Sequence, residues 1–237
     1  MSSFSIFNFQ FSIIMKRRST KQVKIGEIYI GSEYPVLVQS MLNTDTMNTE
    51  ACVEQAIRII EAGGKLVRIT APGIKEAKNL ENIHAELRRR GYTTPLSADI
   101  HFNPEAAIEA ARHVEKVRIN PGNFVDKRAT FKTLIYTDEE YAAELERLRE
   151  KFTAFLDVCR EYGTAVRIGT NHGSLSDRIM SRYGNTPAGM VEATMEYLRV
   201  CRDVKFDDVV ISLKSSDCRV MVEAVRLLVK EMEKEGM

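Results

Sequence analysis

Val117-Arg118-Ile119-Asn120-Pro121-Gly122-Asn123 reads as a short buried strand that runs into a polar loop. Its Val-Arg-Ile opening recurs as Val67-Arg68-Ile69, followed by Thr70, and as Val166-Arg167-Ile168, followed by Gly169 and Asn171. Neighbours along a strand point to opposite faces. In each copy Val and Ile therefore share one face. Arg takes the other, together with Thr70, Asn120 or Gly169. Three strands are thus expected to put a guanidinium at the same place in the same phase, which suits a parallel barrel. There, branched residues meet outer helices and inward polar residues near the strand ends meet a ligand.

Working outward, apolar runs predict strands at 36–41, 66–70, 96–100, 117–120, 165–169 and 209–214. Helical patterns separate them at 49–62, 74–90, 104–113, 138–162 and 187–204, and a last one covers 217–235. Gly63, Gly91 and Gly163 read as helix stops; Asn103 suits a cap and Pro104 a first turn. Strand–helix alternation gives an α/β fold with a parallel sheet. No strand leads into G-x-G-x-x-G, so a dinucleotide fold has no specific support. Inward polar residues on nearly every strand favour a TIM-type (β/α)8 barrel. Residues 23–30, interrupted by Gly26, read as an N-terminal hairpin that caps its bottom. The pattern supplies about six strand–helix units and ends where a seventh strand is due. The expectation is thus an incomplete, truncated barrel over residues 16–237, elaborated on one side by the long connection 123–137.

Residues 1–15 stand apart: they are rich in Phe, Ile and Ser, and the first charges, Lys16, Arg17 and Arg18, follow the apolar run instead of preceding it. That order does not fit a secretory signal, and the run is too short and polar to span a bilayer. A disordered or artefactual leader is expected. The net charge of +1 over 237 residues gives no general attraction to nucleic acid or membrane, so charge arguments must be local. Cys52, Cys159, Cys201 and Cys218 are widely spaced, as expected of reduced thiols in a cytoplasmic protein and not of a disulfide framework or metal site.

Read by phase, the strand ends bring together Gln39, Met41, Arg68, Asp99, His101, Arg118, Asn120, Arg167, Asn171 and Lys214. Three arginines and a lysine then face one aspartate. Buried cations need partners, and guanidinium forks match phosphoryl oxygens. The missing negative charge is expected to arrive with a ligand carrying more than one phosphoryl group. The competing reading pairs each arginine with a structural carboxylate; three in one phase weigh against it. Asp99 and His101 lie on one face of one strand and can bind hydroxyls or move a proton; two such groups are weak evidence for a metal. His84 and His113 read as ordinary helix-surface residues. The backbone NH groups of Gly173 and Ser174 can meet an anion at the start of the next helix. Asn43-Thr44-Asp45-Thr46 reads as either a ligand loop or a helix cap.

The ordered set VQSMLNT, VRIT, ADIHF, VRINPGN, RIGTNHGSLS and ISLKSS resembles the GcpE family of 4-hydroxy-3-methylbut-2-enyl diphosphate synthases. The likeness runs from about residue 17 to the end, and the segment after Asn123 looks like the larger form found in some bacteria and plastids. The resemblance implies a TIM-type barrel that binds 2-C-methyl-D-erythritol 2,4-cyclodiphosphate. It also implies a separate C-terminal domain with a 4Fe-4S cluster held by three cysteines and a glutamate. Reductive ring opening and dehydroxylation belong to the non-mevalonate isoprenoid pathway, with electrons from flavodoxin or ferredoxin. Homodimers place the cluster domain of one subunit over the partner's barrel. By position, Arg68, Arg118, Arg167 and Lys214 match diphosphate-binding residues. Asn120, Asn171 and Ser174 match polar residues around them, and Asp99 and His101 the pair at the barrel mouth, the candidates for catalysis. Against that pattern, the last two strands and the cluster domain are expected to be absent from these 237 residues, and none of the four cysteines sits in a cluster motif. Its own share of the reaction is expected to be substrate binding. The alternatives are a pterin-binding barrel transferase of the dihydropteroate synthase type and a non-catalytic gene fragment.

Overall fold

Alternating apolar strands and amphipathic helices can bury both kinds of surface only by layering helices on a sheet. The computed structural model describes residues 18–126 and 135–237 and shows that arrangement. The leader at 1–15 and part of the 123–137 connection lie outside the described residues. An antiparallel hairpin, β1 (Val23–Ile25) and β2 (Ile28–Ile30), comes first. Six parallel strands follow in sequence order: β3 (Gln39–Met41), β4 (Leu66–Thr70), β5 (Leu96–Asp99), β6 (Lys116–Ile119), β7 (Ala165–Asn171) and β8 (Val209–Lys214). The helices are α1 (Thr49–Glu61), α2 (Ile74–Arg89), α3 (Pro104–Ala111), α4 (Asp138–Tyr162), α5 (Asp177–Tyr183), α6 (Pro187–Asp203) and α7 (Cys218–Lys234). The architecture is a partial TIM-type barrel with an N-terminal hairpin.

Local chemistry sets the helix starts. The Asn48 side chain accepts from Ala51 N, Asn103 accepts from Glu105 N with Pro104 behind it, and Thr137 and Glu140 form a reciprocal capping box. Gly163 ends α4 in the left-handed region at φ 67°.

The predicted division of faces holds. Val67, Ile69, Val117, Ile119, Val166 and Ile168 are buried in the main core with α2 and α4 residues such as Leu80 and Phe152. On the interior side, Leu66 and Ala165 at the strand starts pack against Val23 and Ile25 of the hairpin. The hairpin thus plugs the bottom of the barrel, as its position in the sequence suggested.

Two differences stand out. The strand expected at 36–41 shortens to Gln39–Met41, because it pairs only with β4 and residues 36–38 gain little ladder. Helix α5 falls in a stretch not assigned to any helix. It packs against α6, and its Arg178 is buried with Glu196 and Asp126.

Candidate functional site

Parallel pairing puts Asp99 beside Arg118, and Arg118 beside Arg167. Arg68 is one step lower, level with Ser97. The three arginines therefore share a phase but not a level: the expected common place holds for Arg118 and Arg167 and fails for Arg68, because pairing sets β4 one step down relative to β5. Arg68 nonetheless reaches up to Asp99: its Nη2 donates to Oδ2. Arg118 Nη1 donates to Asp99 Oδ1 at 3.1 Å, and His101 Nε2 lies 3.2 Å from Oδ2. Asp99 and Arg118 are buried, at 2 % and 3 % exposure. Burial pushes the Asp99 carboxyl up, but the His101 contact and the Arg118 and Arg68 charges outweigh it. The carboxyl is held well below its usual range.

Arg118 also crosses β7: its Nη2 donates to Gly169 O at 2.8 Å. A Cβ on Gly169 would lie 2.5 Å from Arg118 Nε, so any side chain there would displace the guanidinium from its present place. Arg167 donates from Nε to Ser212 Oγ at 3.0 Å and has no ion pair among the described residues. Burial and then the Arg68 and Arg118 charges pull its guanidinium down to about 10. Lys214 stands exposed at the mouth, level with Asn171.

Two loops close over this end. The Asn120 side chain donates to Ser174 Oγ at 3.0 Å. A Cβ on Gly122 would collide with the Ser174 carbonyl oxygen, so the Asn-Pro-Gly loop and the His172–Ser174 turn touch backbone to backbone. Gly173 and Ser174 lie in that 3-10 turn, not at a helix start as expected. Helix α5 begins at Asp177 and is capped by Ser176.

The site thus gathers cations of four strands around one carboxylate at the C-terminal end of a parallel barrel. Residues 20–235 match the family described as the GcpE TIM-barrel domain. The chain belongs to the GcpE family. It is 62 % identical over 221 residues to 4-hydroxy-3-methylbut-2-en-1-yl diphosphate synthase (flavodoxin) of Bacteroides fragilis, a match covering 93 % of this chain and 35 % of that protein. It is 51 % identical over 220 residues to the Chlorobaculum tepidum protein of the same name, covering 93 % and 29 %. The chain therefore spans about a third of the length of these curated relatives. Among solved structures, a truncated 3-deoxy-D-arabino-heptulosonate 7-phosphate synthase from Thermotoga maritima superposes with a TM-score of 0.52 at 14 % identity, covering 90 % of this chain and 66 % of that one. That likeness supports the barrel fold alone.

Arg68, Asp99, His101, Arg118 and Arg167 come together as the phase argument expected, and Asn120 with Ser174 forms the adjoining wall. Gln39 and Met41 share the inward phase and both are exposed at the sheet edge, with Gln39 Oε1 at 3.2 Å from Lys116 Nζ. His84 and His113 are tied to Glu115 and Glu109, away from the site. Asn43 and Thr44 hydrogen-bond Gln55 and Cys52 of α1, and Asn48 is the cap of that helix. The sequence reading missed Ser97, Lys116 and Ser212. Each stands two residues before a named inward residue, so the same alternation places them inside.

A 4Fe-4S cluster does not fit this site. Cys52, Cys159 and Cys201 are buried and Cys218 is exposed on α7. Burial pushes the Cys201 thiol up to about 12, the opposite of what a thiolate ligand needs. Among the described residues no group of three or more His, Cys, Asp or Glu side chains can hold a metal. No helix among them is long and apolar enough to cross a membrane.

Proposed function

We propose that this chain is the substrate-binding barrel of a 4-hydroxy-3-methylbut-2-enyl diphosphate synthase. Its ligand is 2-C-methyl-D-erythritol 2,4-cyclodiphosphate. The single observation that carries the reading is the charge imbalance. Asp99 already answers Arg68 and Arg118, so Arg167 and Lys214 keep their charge for a ligand. Family membership supports a ligand with two linked phosphoryl groups and weighs against a pterin-binding transferase.

In this reading Arg118 and Arg167, level on adjacent strands, grip phosphoryl oxygens, with Arg68 below and Lys214 above. Asn120, Asn171 and Ser174 orient the ring. Asp99 and Arg118 hold the His101 imidazole, which stays one-third exposed and in this reading meets a substrate hydroxyl. The reductive step needs two electrons, supplied through flavodoxin or ferredoxin and an iron–sulfur cluster; no residue described here serves that step. The homodimer and the cytoplasmic location belong to the same reading.

The test is calorimetric binding of the cyclic diphosphate. Arg118→Met and Arg167→Met should each weaken it by about 1.5–3 kcal/mol, the scale of a lost hydrogen bond to a charged group. Arg→Lys at either position should weaken it as well, because a point charge does not replace the fork. Unchanged affinity in both Met variants would make these arginines structural.

A further inference from the structure

The interior row beneath the Asp99–Arg118–Arg167 level is polar too. Lys116 is paired in register with Ser97 on one side and Ala165 on the other, and Ser97 is paired with Arg68. Alternation sets Arg68, Ser97 and Lys116 on the interior face of three consecutive strands. Lys116 is 4 % exposed and Ser97 1 %. The Lys116 side chain crosses the interior to β3, where Nζ donates to Gln39 Oε1 at 3.2 Å. It makes no ion pair among the described residues. The charged groups on the interior face are Arg68 on β4, Asp99 on β5 with His101 just beyond it, Arg118 on β6, Arg167 on β7 and Lys214 on β8. The one carboxylate among them, Asp99, is already held by Arg68, Arg118 and His101.

Several polar atoms here are buried without a partner: Ser97 Oγ, Arg68 Nε and Arg118 Nε. Buried polar groups are nearly always satisfied. The Ser97 hydroxyl has no partner, and the Lys116 amine buried beside it has one neutral acceptor and no counter-charge. Burial, and then the Arg167 and Arg68 charges, pull the Lys116 ammonium down to about 7. An anion would reverse that electrostatic pressure.

We propose that Lys116 and Ser97 form the floor of the anion site and contact an oxygen of a bound phosphoryl group. This rests on the diphosphate-binding reading and adds two residues to it. A phosphoryl anion lowers the local potential, so Lys116 takes a proton from solvent as the ligand seats. No covalent bond changes.

The experiment is isothermal titration of the 237-residue chain with inorganic pyrophosphate near pH 7.5, in two buffers of different ionisation enthalpy. Lys116→Met serves as the reference that removes the ligand's own proton changes. Wild type should take up more protons per ligand than Lys116→Met and bind about tenfold more tightly, the worth of one charge-assisted hydrogen bond. Ser97→Ala should weaken binding by a smaller factor and keep the proton uptake. If wild type does not bind pyrophosphate, the diphosphate reading falls and this inference with it. If wild type binds and Lys116→Met matches it in affinity and proton uptake, only this inference falls. Should Lys116→Met fail to fold, unchanged affinity in Ser97→Ala overturns the proposal.

Discussion

Burying Lys116 among arginines costs stability wherever the ammonium must stay charged. Its folded-state value is about 7, against about 10.4 for an unfolded chain. Between those values the unfolded chain holds a proton that the folded chain has released. Stability contributed by this site therefore rises with pH across that window, and below about pH 7 the cost is present in full. Lys116→Met should accordingly stabilise the unliganded chain by about 1–4 kcal/mol at pH 6. The gain should fade as pH approaches about 10. Urea unfolding at pH 6, 8 and 9.5 reads it directly, and a pH-independent gain would contradict the assignment. Asp99 works in the opposite sense. Its folded value lies below the unfolded one, so its contribution is present above about pH 4 and is lost as pH falls through the depressed folded value. Asp99→Asn leaves Arg68 and Arg118 without their carboxylate and should cost about 3 kcal/mol at pH 7. The gap to wild type should stay level from pH 8 to about 5 and close only in stronger acid. A gap that closed already at pH 6 would point to a different titrating group.

At the scale of elements, the described ties between the segments after β6 and β7 include a backbone contact at Gly122, the Asn120–Ser174 bond and the Asp126–Arg178 ion pair. Gly122→Ala drives a methyl into the Ser174 carbonyl, and flexible side chains cannot absorb that. A loss of about 1–3 kcal/mol is expected, the usual cost of forced packing. A thermal melt indistinguishable from wild type would show that the two loops move apart freely. The sequence made some of this legible and hid the rest for definable reasons. Strands β4 and β8 have the bounds expected from the sequence because branched residues fill their outer face and mark the run clearly, Val67 and Ile69 on β4 and Val209, Ile211 and Leu213 on β8. Period-2 alternation placed the arginines and Asp99 in one interior. It carried no register, so the lower level of Arg68 emerged only from strand pairing. Lys116 is hidden because the apolar run that marks the strand begins at Val117, one residue after the strand itself. Helix α5 has seven residues, too few to show a convincing period, and its buried Arg178 looks like a surface charge until Glu196 is brought beside it. The helix start expected at Gly173 and Ser174 is displaced for a related reason: a 3-10 turn and Ser176 intervene before the helix begins.

At the scale of the whole molecule, the sheet order leaves β3 and β8 as edges among the described residues. Each presents one row of backbone donors and acceptors with no ladder partner, a template for pairing with another chain. The β3 side carries apolar bulk in solvent: Val36 is 85 % exposed, Val38 58 % and Met41 45 %. Neither edge has the usual protection. Pro35 precedes the apolar run instead of interrupting it, and Lys214 at the end of β8 is the one charge within the two edge strands. Helix α7, next to β8, exposes Val222 and Val225 at 41 % and 43 % and extends the apolar surface around that side. Exposed edges and apolar side chains together favour association over a stable monomer. The chain at tens of micromolar, roughly where folding species with open edges aggregate, should sediment as a concentration-dependent mixture. Val38→Lys should shift that mixture toward monomer, since a lysine on an edge opposes strand addition. Val38 lies outside the anion site, so pyrophosphate affinity should be unaffected by that substitution. A concentration-independent monomer in analytical ultracentrifugation would show that the edges are already covered. A Val38→Lys variant that self-associates as strongly as wild type would move the contact from the β3 edge to α7.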